Sequence, residues 1–326
     1  MPLFMFAAGY FFKQKNVDST FKYIIGKFKK LILRIYIYNF FYGFYIQFLK
    51  KKGFKNNIRP FSFEILFIKP LIGSGFMYIA PSWFSSSLFF VEFYNILKRK
   101  IISFFKIKLH ESVYFLIDLC ISSITVILSN QGYNNSSLNK HILRVMHLNI
   151  YYEFAIIFKK HLERYMKRIR NDIFILNIFF LKLCFHLYYS SELFFYYGAS
   201  KYYNYPPFTV IIISVSGIAF WFKISEFLEP LLGKNYYINI IADNTYSIMI
   251  NHLFSLDLVR TFFAFISKNA KYCKDFNFNR YYSMEVNYIY IPNNILQIGI
   301  IYFLSCLIIP IIIQKIINII KKSILK

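Results

Sequence analysis

Long apolar runs, separated by short and often basic connections, recur along this chain from the first residue to the last. About 20 helical residues cover the hydrocarbon core of a bilayer, so each run near that length predicts a membrane-crossing helix. Eight qualify: 31–49, 76–97, 112–129, 141–158, 172–190, 207–222, 245–266 and 295–319. A ninth run, 1–12, reaches only about 18 Å at about 1.5 Å per residue, which predicts a short or tilted helix. Pro81 falls in the first turns of its run, where a missing N–H costs least, and Pro310 predicts a kink in the last. The expected fold class is all-α: a polytopic integral membrane helical bundle forming a single domain over residues 1–326.

Composition supports this reading. The 326 residues are 57% hydrophobic, with a mean hydropathy of +0.43, which disfavours a soluble globular domain. A net charge of +24 would ordinarily suggest nucleic acid. Here the basic residues sit in short clusters between apolar runs, so membrane topology explains them better and no nucleic-acid partner is expected. Loops 13–30, 98–110, 159–170, 223–234 and 315–326 hold 23 Lys and Arg, against 12 in loops 50–75, 130–140, 190–206 and 267–294. The first set is expected to be cytoplasmic, although loop 50–75, with six, runs against it. The C-terminus is then cytoplasmic and Met1 on the far side. A cytoplasmic N-terminus would need one more span before Met1, ten in all.

Several chemistries find no motif. There is no CxxC pair, no metal-ligand spacing and no disulfide framework. No GxSxG elbow, P-loop or GxGxxG is present, and no signal peptide is expected, since the apolar start has no basic n-region or small-residue cleavage site. Two polar stripes remain. Ser82, Ser85, Glu92 and Asn95 share one helical face, and Lys98-Arg99-Lys100 closes that run. A carboxylate at membrane depth is by default functional; the alternative for Glu92 is hydrogen bonding to a neighbouring helix for packing. The second stripe is Asn244, Ser247, Asn251 and Ser255, with His252 about 100° from Asn251 on the wheel. His252 is read as a general base, a proton relay or a hydrogen-bonded core residue. Glu92, His252 and Trp83 are expected to face one interior cavity, since each polar stripe must avoid lipid. Asp118, Glu153, His186 and Asp257 show no companions at helical spacing clear enough to build a site.

Three stretches together resemble the acyltransferase 3 family of integral-membrane O-acyltransferases, particularly its fucose 4-O-acetylase-like sugar O-acetylase branch. They are Met1-Pro2-Leu3-Phe4 through Gly9-Tyr10-Phe11-Phe12; Ala80-Pro81-Ser82-Trp83-Phe84 through Glu92; and Asn244-Thr245-Tyr246-Ser247-Ile248-Met249 through His252. Lys29-Lys30-Leu31-Ile32-Leu33-Arg34 is similar to the basic start of the family's third helix, without a strict Arg-x-x-Arg. Ala7-Ala8 stands where a Ser often precedes the glycine. The resemblance implies a ten-helix fold of which about nine transmembrane helices are present. The family's first helix, which carries an Arg and a His held to be the essential base, would precede Met1, so the chain is expected to be incomplete at its N-terminus.

The resemblance further implies transfer of an acyl group, expected to be acetyl, from acyl-CoA to a hydroxyl of a cell-surface polysaccharide or its lipid-linked precursor. Acetyl-CoA or another acyl-CoA would be the co-substrate, with no bound cofactor or metal. The partners would be the lipid bilayer and the glycan or lipid-linked sugar, and the location the plasma membrane. In that reading His252 is the catalytic candidate present in the chain. Trp83, Ser85, Glu92 and Asn251 would line the substrate cavity, Lys30 and Arg34 would hold the CoA phosphates, and the outer loop 275–294, with Arg280, would touch glycan, the equal alternative being a solvated, disordered loop. Ordinary positive-inside charge is the alternative for Lys30 and Arg34. Two other classes stay open: a transporter or flippase of glycan carriers, and an inactive truncated family member. Against transport, there is no internal repeat with paired broken helices.

Overall fold

The computed structural model describes residues 1–13, 19–54, 61–189, 205–269, 273–285, 288–292 and 295–324. Parts of the expected loops 13–30, 50–75, 190–206 and 267–294 lie outside these. Among the described residues every regular element is helical. In chain order they are α1 (Pro2–Tyr10), α2 (Thr20–Lys27), α3 (Leu33–Lys51), α4 (Trp83–Phe104), α5 (Glu111–Asn130), α6 (Ser137–Ile157) and α7 (Glu163–Arg168). After these come α8 (Asn171–Tyr189), α9 (Pro207–Leu232), α10 (Tyr236–Asp243), α11 (Thr245–Asn269), α12 (Phe278–Tyr282) and α13 (Gly299–Ile324). A π turn, Phe28–Ile32, joins α2 to α3, and another, Phe158–Leu162, joins α6 to α7.

Local chemistry sets several starts. Ser136 Oγ accepts the Asn139 N–H at 3.0 Å ahead of α6. Asn235 Oδ1 accepts from Tyr237 and Ile238 at 3.0 and 3.2 Å ahead of α10, satisfying amides that a helix N-terminus otherwise leaves bare. Pro207 opens α9, where its lost donor is harmless.

Every expected run contains a helix, and among the described residues five helices are long and apolar enough to cross a membrane: α5, α8, α9, α11 and α13. This marks a helical membrane protein. The other expected runs carry too much polarity or are too short. α3 holds Arg34, Lys50 and Lys51; α4 holds Glu92, Lys98, Arg99 and Lys100; α6 holds His141, Arg144, His147 and Glu153; α1 has nine residues.

The chain clusters into two compact units, one of Met1–Leu33 with Trp83–Leu231 and one of Arg34–Ser82 with Leu232–Lys326. In the first, α6 is the central helix, packed by α1, α4 and α5. Gly9 is what lets α1 close on it, because a Cβ there would run into the Tyr152 carbonyl. Phe6 then seats its ring 5.8 Å from Phe154 and 5.3 Å from Phe158. In the second unit α11 packs along α13 and against the 3₁₀ turn Met77–Ser82. Asn39 of α3 donates to the Ile65 carbonyl at 3.0 Å and accepts the Phe76 N–H at 3.1 Å, tying the segment before that turn to the helix.

The run 76–97 is therefore not one helix. Its first residues form the 3₁₀ turn in the second unit, and α4 begins at Trp83 in the first. Pro81 supplies the reason: it has no N–H for an i→i−4 bond, and Ala80 before it is disfavoured in the α region. The basic cluster at 98–100 also departs from expectation. α4 runs on to Phe104, and Lys98 and Arg99 turn inward instead of ending the helix at a loop. Lys223, expected in a basic loop, is buried in α9, where its Nζ donates to the Met166 carbonyl at 3.1 Å and pairs with Glu226 at 2.9 Å. At Pro310, where a kink is expected, α13 continues, and the Pro310 carbonyl accepts the Ser247 hydroxyl at 2.8 Å.

Candidate functional site

The stripe on α11 is buried as its spacing predicts, with Ser247, Asn251 and Ser255 each at most 1% exposed. Asn251 donates to both the carbonyl and the hydroxyl of Ser247 at 2.9 Å, and its Oδ1 accepts the Tyr42 hydroxyl. Ser255 Oγ donates to the Asn251 carbonyl at 3.0 Å. Asn251 thus ties α11 to α3. Asn244 lies outside the stripe, in the break between α10 and α11, and donates to the Ile240 carbonyl at 2.8 Å.

His252 is half-buried on the next position. Its Nδ1 lies 2.8 Å from the Met249 carbonyl and 3.3 Å from that of Ile248. Carbonyl oxygens only accept, so Nδ1 carries a hydrogen, and in the neutral ring Nε2 then holds the lone pair. Nε2 takes no hydrogen-bond partner among the described residues. The imidazole is held in the tautomer a general base requires. Arg34, exposed at the start of α3, lays its guanidinium over the Tyr246 ring at 5.3 Å. Tyr246 lies about 9 Å along α11 from His252 and about 120° around it. Lys30 is exposed on the π turn before α3.

Asp257 has companions after all. It is 3% exposed, accepts the Tyr78 hydroxyl at 2.7 Å and that of Tyr45 at 3.4 Å, and pairs with Arg260 at 3.0 Å. Arg260 also donates to the Glu285 and Tyr288 carbonyls at 2.6 and 3.4 Å, which anchors the stretch after α12. Arg280 of α12 pairs with Glu285 at 2.8 Å and stacks over Tyr288 at 4.8 Å.

In the first unit, Ser85, Glu92 and Asn95 are buried on one face of α4; Ser82, at the end of the preceding turn, is buried too but belongs to the second unit. Glu92 accepts Lys27 Nζ from α2 at 2.7 Å. Trp83 is half-buried, and one face of its ring is covered by the Arg144 guanidinium at 4.4 Å. Glu92 and Trp83 belong to the first unit, and His252 and Asn251 to the second.

Asp118 and Glu153 also have partners, and these come from other helices. Lys98 Nζ lies 2.5 Å from Asp118 and 3.4 Å from Glu153. Arg99 pairs with Glu153 and, at 2.8 Å, with Glu111, which in turn pairs with Lys160. Asn95 donates to Glu153 at 2.7 Å and accepts Arg99 Nε at 3.0 Å. Deeper still, His147 is 1% exposed between the Ser122 hydroxyl at 2.8 Å and the Tyr151 hydroxyl at 3.2 Å. His186 stays exposed near the end of α8.

Of the residues singled out from sequence, His252 alone combines partial exposure with a fixed tautomer and an unengaged ring nitrogen. Glu92, Asn251 and Asp257 are engaged in contacts between elements. No protein-family model, no curated protein and no solved structure matches this chain.

Proposed function

We propose that the chain is a membrane-bound O-acyltransferase that moves an acyl group, in the first instance acetyl, from acyl-CoA to a hydroxyl of a cell-surface polysaccharide or its lipid-linked precursor. The observation that carries this is His252, whose Nδ1–H is committed to the Met249 carbonyl while Nε2 is left to accept a proton. In the proposed reaction the acceptor hydroxyl oxygen bonds to the thioester carbonyl carbon as its proton passes to Nε2. The C–S bond breaks, and the departing CoA thiolate takes that proton back from Nε2, which restores the neutral ring. Arg34, at the exposed end of the same unit, would meet the CoA phosphates by charge-assisted hydrogen bonds. Exposed Lys30 adds charge beside it in sequence.

The reading includes about nine membrane helices of a ten-helix plan in the plasma membrane. Runs 31–49, 76–97 and 141–158 fall short of simple apolarity. The buried charges of 76–97 and 141–158, namely Glu92, Arg144 and Glu153, face protein, as intramembrane ions do. This supports counting those runs as spans.

The test is the full chain in proteoliposomes with acetyl-labelled acetyl-CoA and a lipid-linked oligosaccharide. Alkali-labile label should appear on the glycan, and His252→Gln should lower turnover about 10²–10⁴-fold with helix content unchanged. Movement of glycan across the membrane without consumption of acetyl-CoA would establish transport instead. Full activity of His252→Gln would remove this base from the mechanism.

A further inference from the structure

A groove in the first unit stands apart from both polar stripes. Its open end, of ≈ 740 Å³, is lined by Lys167, Arg168 and Arg170 together with Ile175, Ile224 and Phe227. It shares Asp172 and Ile175 with a second cavity of ≈ 450 Å³, lined by Leu176, Ile178, Phe179 and Phe220. The two adjoin at Asp172 and Ile175, the first basic and the second mostly apolar. Lys182 forms part of the second wall, its ammonium 5.5 Å from the centre of the Phe220 ring.

Two features identify the occupant. The first is the surface around the groove. No residue of α8 is buried, although the helix is long and apolar enough to span a bilayer. Leu176, Phe179 and Phe227 are each more than half exposed, so the groove wall is a surface that acyl chains cover at no cost. The second is charge. Residues 159–170 hold six Lys and Arg against one Glu. Lys167 is paired with Glu163 at 2.6 Å and Arg170 with Asp172 at 2.7 Å. Arg168 makes no ion pair among the described residues. A surplus of positive charge where an apolar groove meets a helix end fits a phosphate headgroup with an acyl chain attached.

We infer that this groove binds an anionic phospholipid, with its phosphate at Lys167, Arg168 and Arg170 and one acyl chain along Ile175, Leu176, Phe179 and Phe220. The site does not depend on the acyl-transfer reading, since it shares no residue with His252, Lys30 or Arg34. Such a lipid would bridge the end of α7 to α8 and α9.

The experiment equilibrates the full chain in detergent with equal phosphatidylglycerol and phosphatidylcholine and counts bound lipid by native mass spectrometry. Phosphatidylglycerol should be retained at least about fivefold over phosphatidylcholine, the factor expected for one unpaired basic residue at an anionic headgroup. Lys167→Gln/Arg168→Gln/Arg170→Gln, confined to exposed side chains, should abolish that preference. Lys321→Gln/Lys322→Gln, which removes comparable charge from the end of α13, should keep it. Equal retention of the two lipids by the unaltered chain, or an equal loss in both variants, would overturn the assignment. So would displacement of the lipid by inorganic phosphate alone, because that would make the site one for the free anion.

Discussion

Lys98 and Glu153 sit in a six-charge network that balances to zero: Lys98, Arg99 and Lys160 against Glu111, Asp118 and Glu153. Removing one charge leaves the buried members of the network unbalanced, while Lys160 stays half exposed. Stripping one partner from a buried pair ordinarily costs about 3–5 kcal/mol. Glu153→Gln should fall near the lower end, about 3 kcal/mol, because Arg99 keeps Glu111 at 2.8 Å and Lys98 keeps Asp118 at 2.5 Å. Lys98→Met should cost as much or more, since it takes the ammonium from beside Asp118. The double variant removes one charge of each sign and restores neutrality. It should cost less than the sum of the single variants by about 1–3 kcal/mol, the range of coupling found for residues in one network. The assay is thermal unfolding of the four proteins in one detergent, where 1 kcal/mol corresponds to about 2–4 °C. Each single variant should therefore lose several degrees, and the double variant should recover part of that loss. Additivity within about 0.5 kcal/mol would show that the two side chains do not share a network, and would refute the electrostatic account of α4–α6 packing.

Gly9→Ala should destabilise by at least about 1–3 kcal/mol, as overpacking does, because its Cβ meets backbone at Tyr152; hydrogen exchange in α1 should rise well above that in α11. Asp257→Asn should cost about 3 kcal/mol and speed proteolysis within 273–292, since Arg260 both needs that carboxylate and holds the Glu285 and Tyr288 carbonyls; Tyr78→Phe should cost only about 1 kcal/mol. Glu163 accepts Lys167 Nζ at 2.6 Å and the Tyr10 hydroxyl at 3.0 Å, and the Lys167 hydrogen bond holds its carboxyl below the usual range. A depressed carboxyl stabilises the fold fully above its unfolded value of about 4.3 and loses that contribution as pH falls from there through the lower folded value. The difference in hydrogen exchange between the unaltered chain and Glu163→Gln at α1 and α7 should therefore be present at neutral pH and vanish in acid.

The positions of the helices are legible in the sequence because apolar runs and their breaks need only local information. Trp83 as the start of α4 is partly legible, through Pro81. The buried ions are less so. Asp118 and Glu153 look solitary along the chain because their cations, Lys98 and Arg99, stand on another helix. A pair formed across helices leaves no spacing to read. The same residues also mislead topology, since Lys98 and Arg99 look like a basic terminus when read in order. Asp257 is different: Arg260 lies three residues on, a spacing that puts both on one face, and that signal was present in the sequence. Trp83 with Arg144, and Asn251 with Tyr42, again join elements far apart in sequence. For His252 the residue is legible but its tautomer is not, because that depends on a carbonyl aimed at Nδ1.

Polarity and burial also run together here in the sense opposite to that of a water-soluble core. α8 and α13 are strongly apolar, and α8 has no buried residue while α13 has few. α6 falls short of spanning apolarity, yet it buries His141, Arg144, His147, Asn149 and Glu153 at the centre of the first unit. In water the apolar face is the one withdrawn from solvent. In hydrocarbon, withdrawing it gains little, whereas a charge or an amide must find protein partners. Each buried ion of α4, α6 and α11 is therefore a constraint on which helix lies beside which, and it is satisfied by a specific neighbour: Glu92 by Lys27, Glu153 by Arg99, and Asp257 by Tyr78 and Arg260. His252 differs from that set. Its ring is held by the backbone of its own helix, so Nε2 is not needed to hold two helices together. That leaves it available for chemistry.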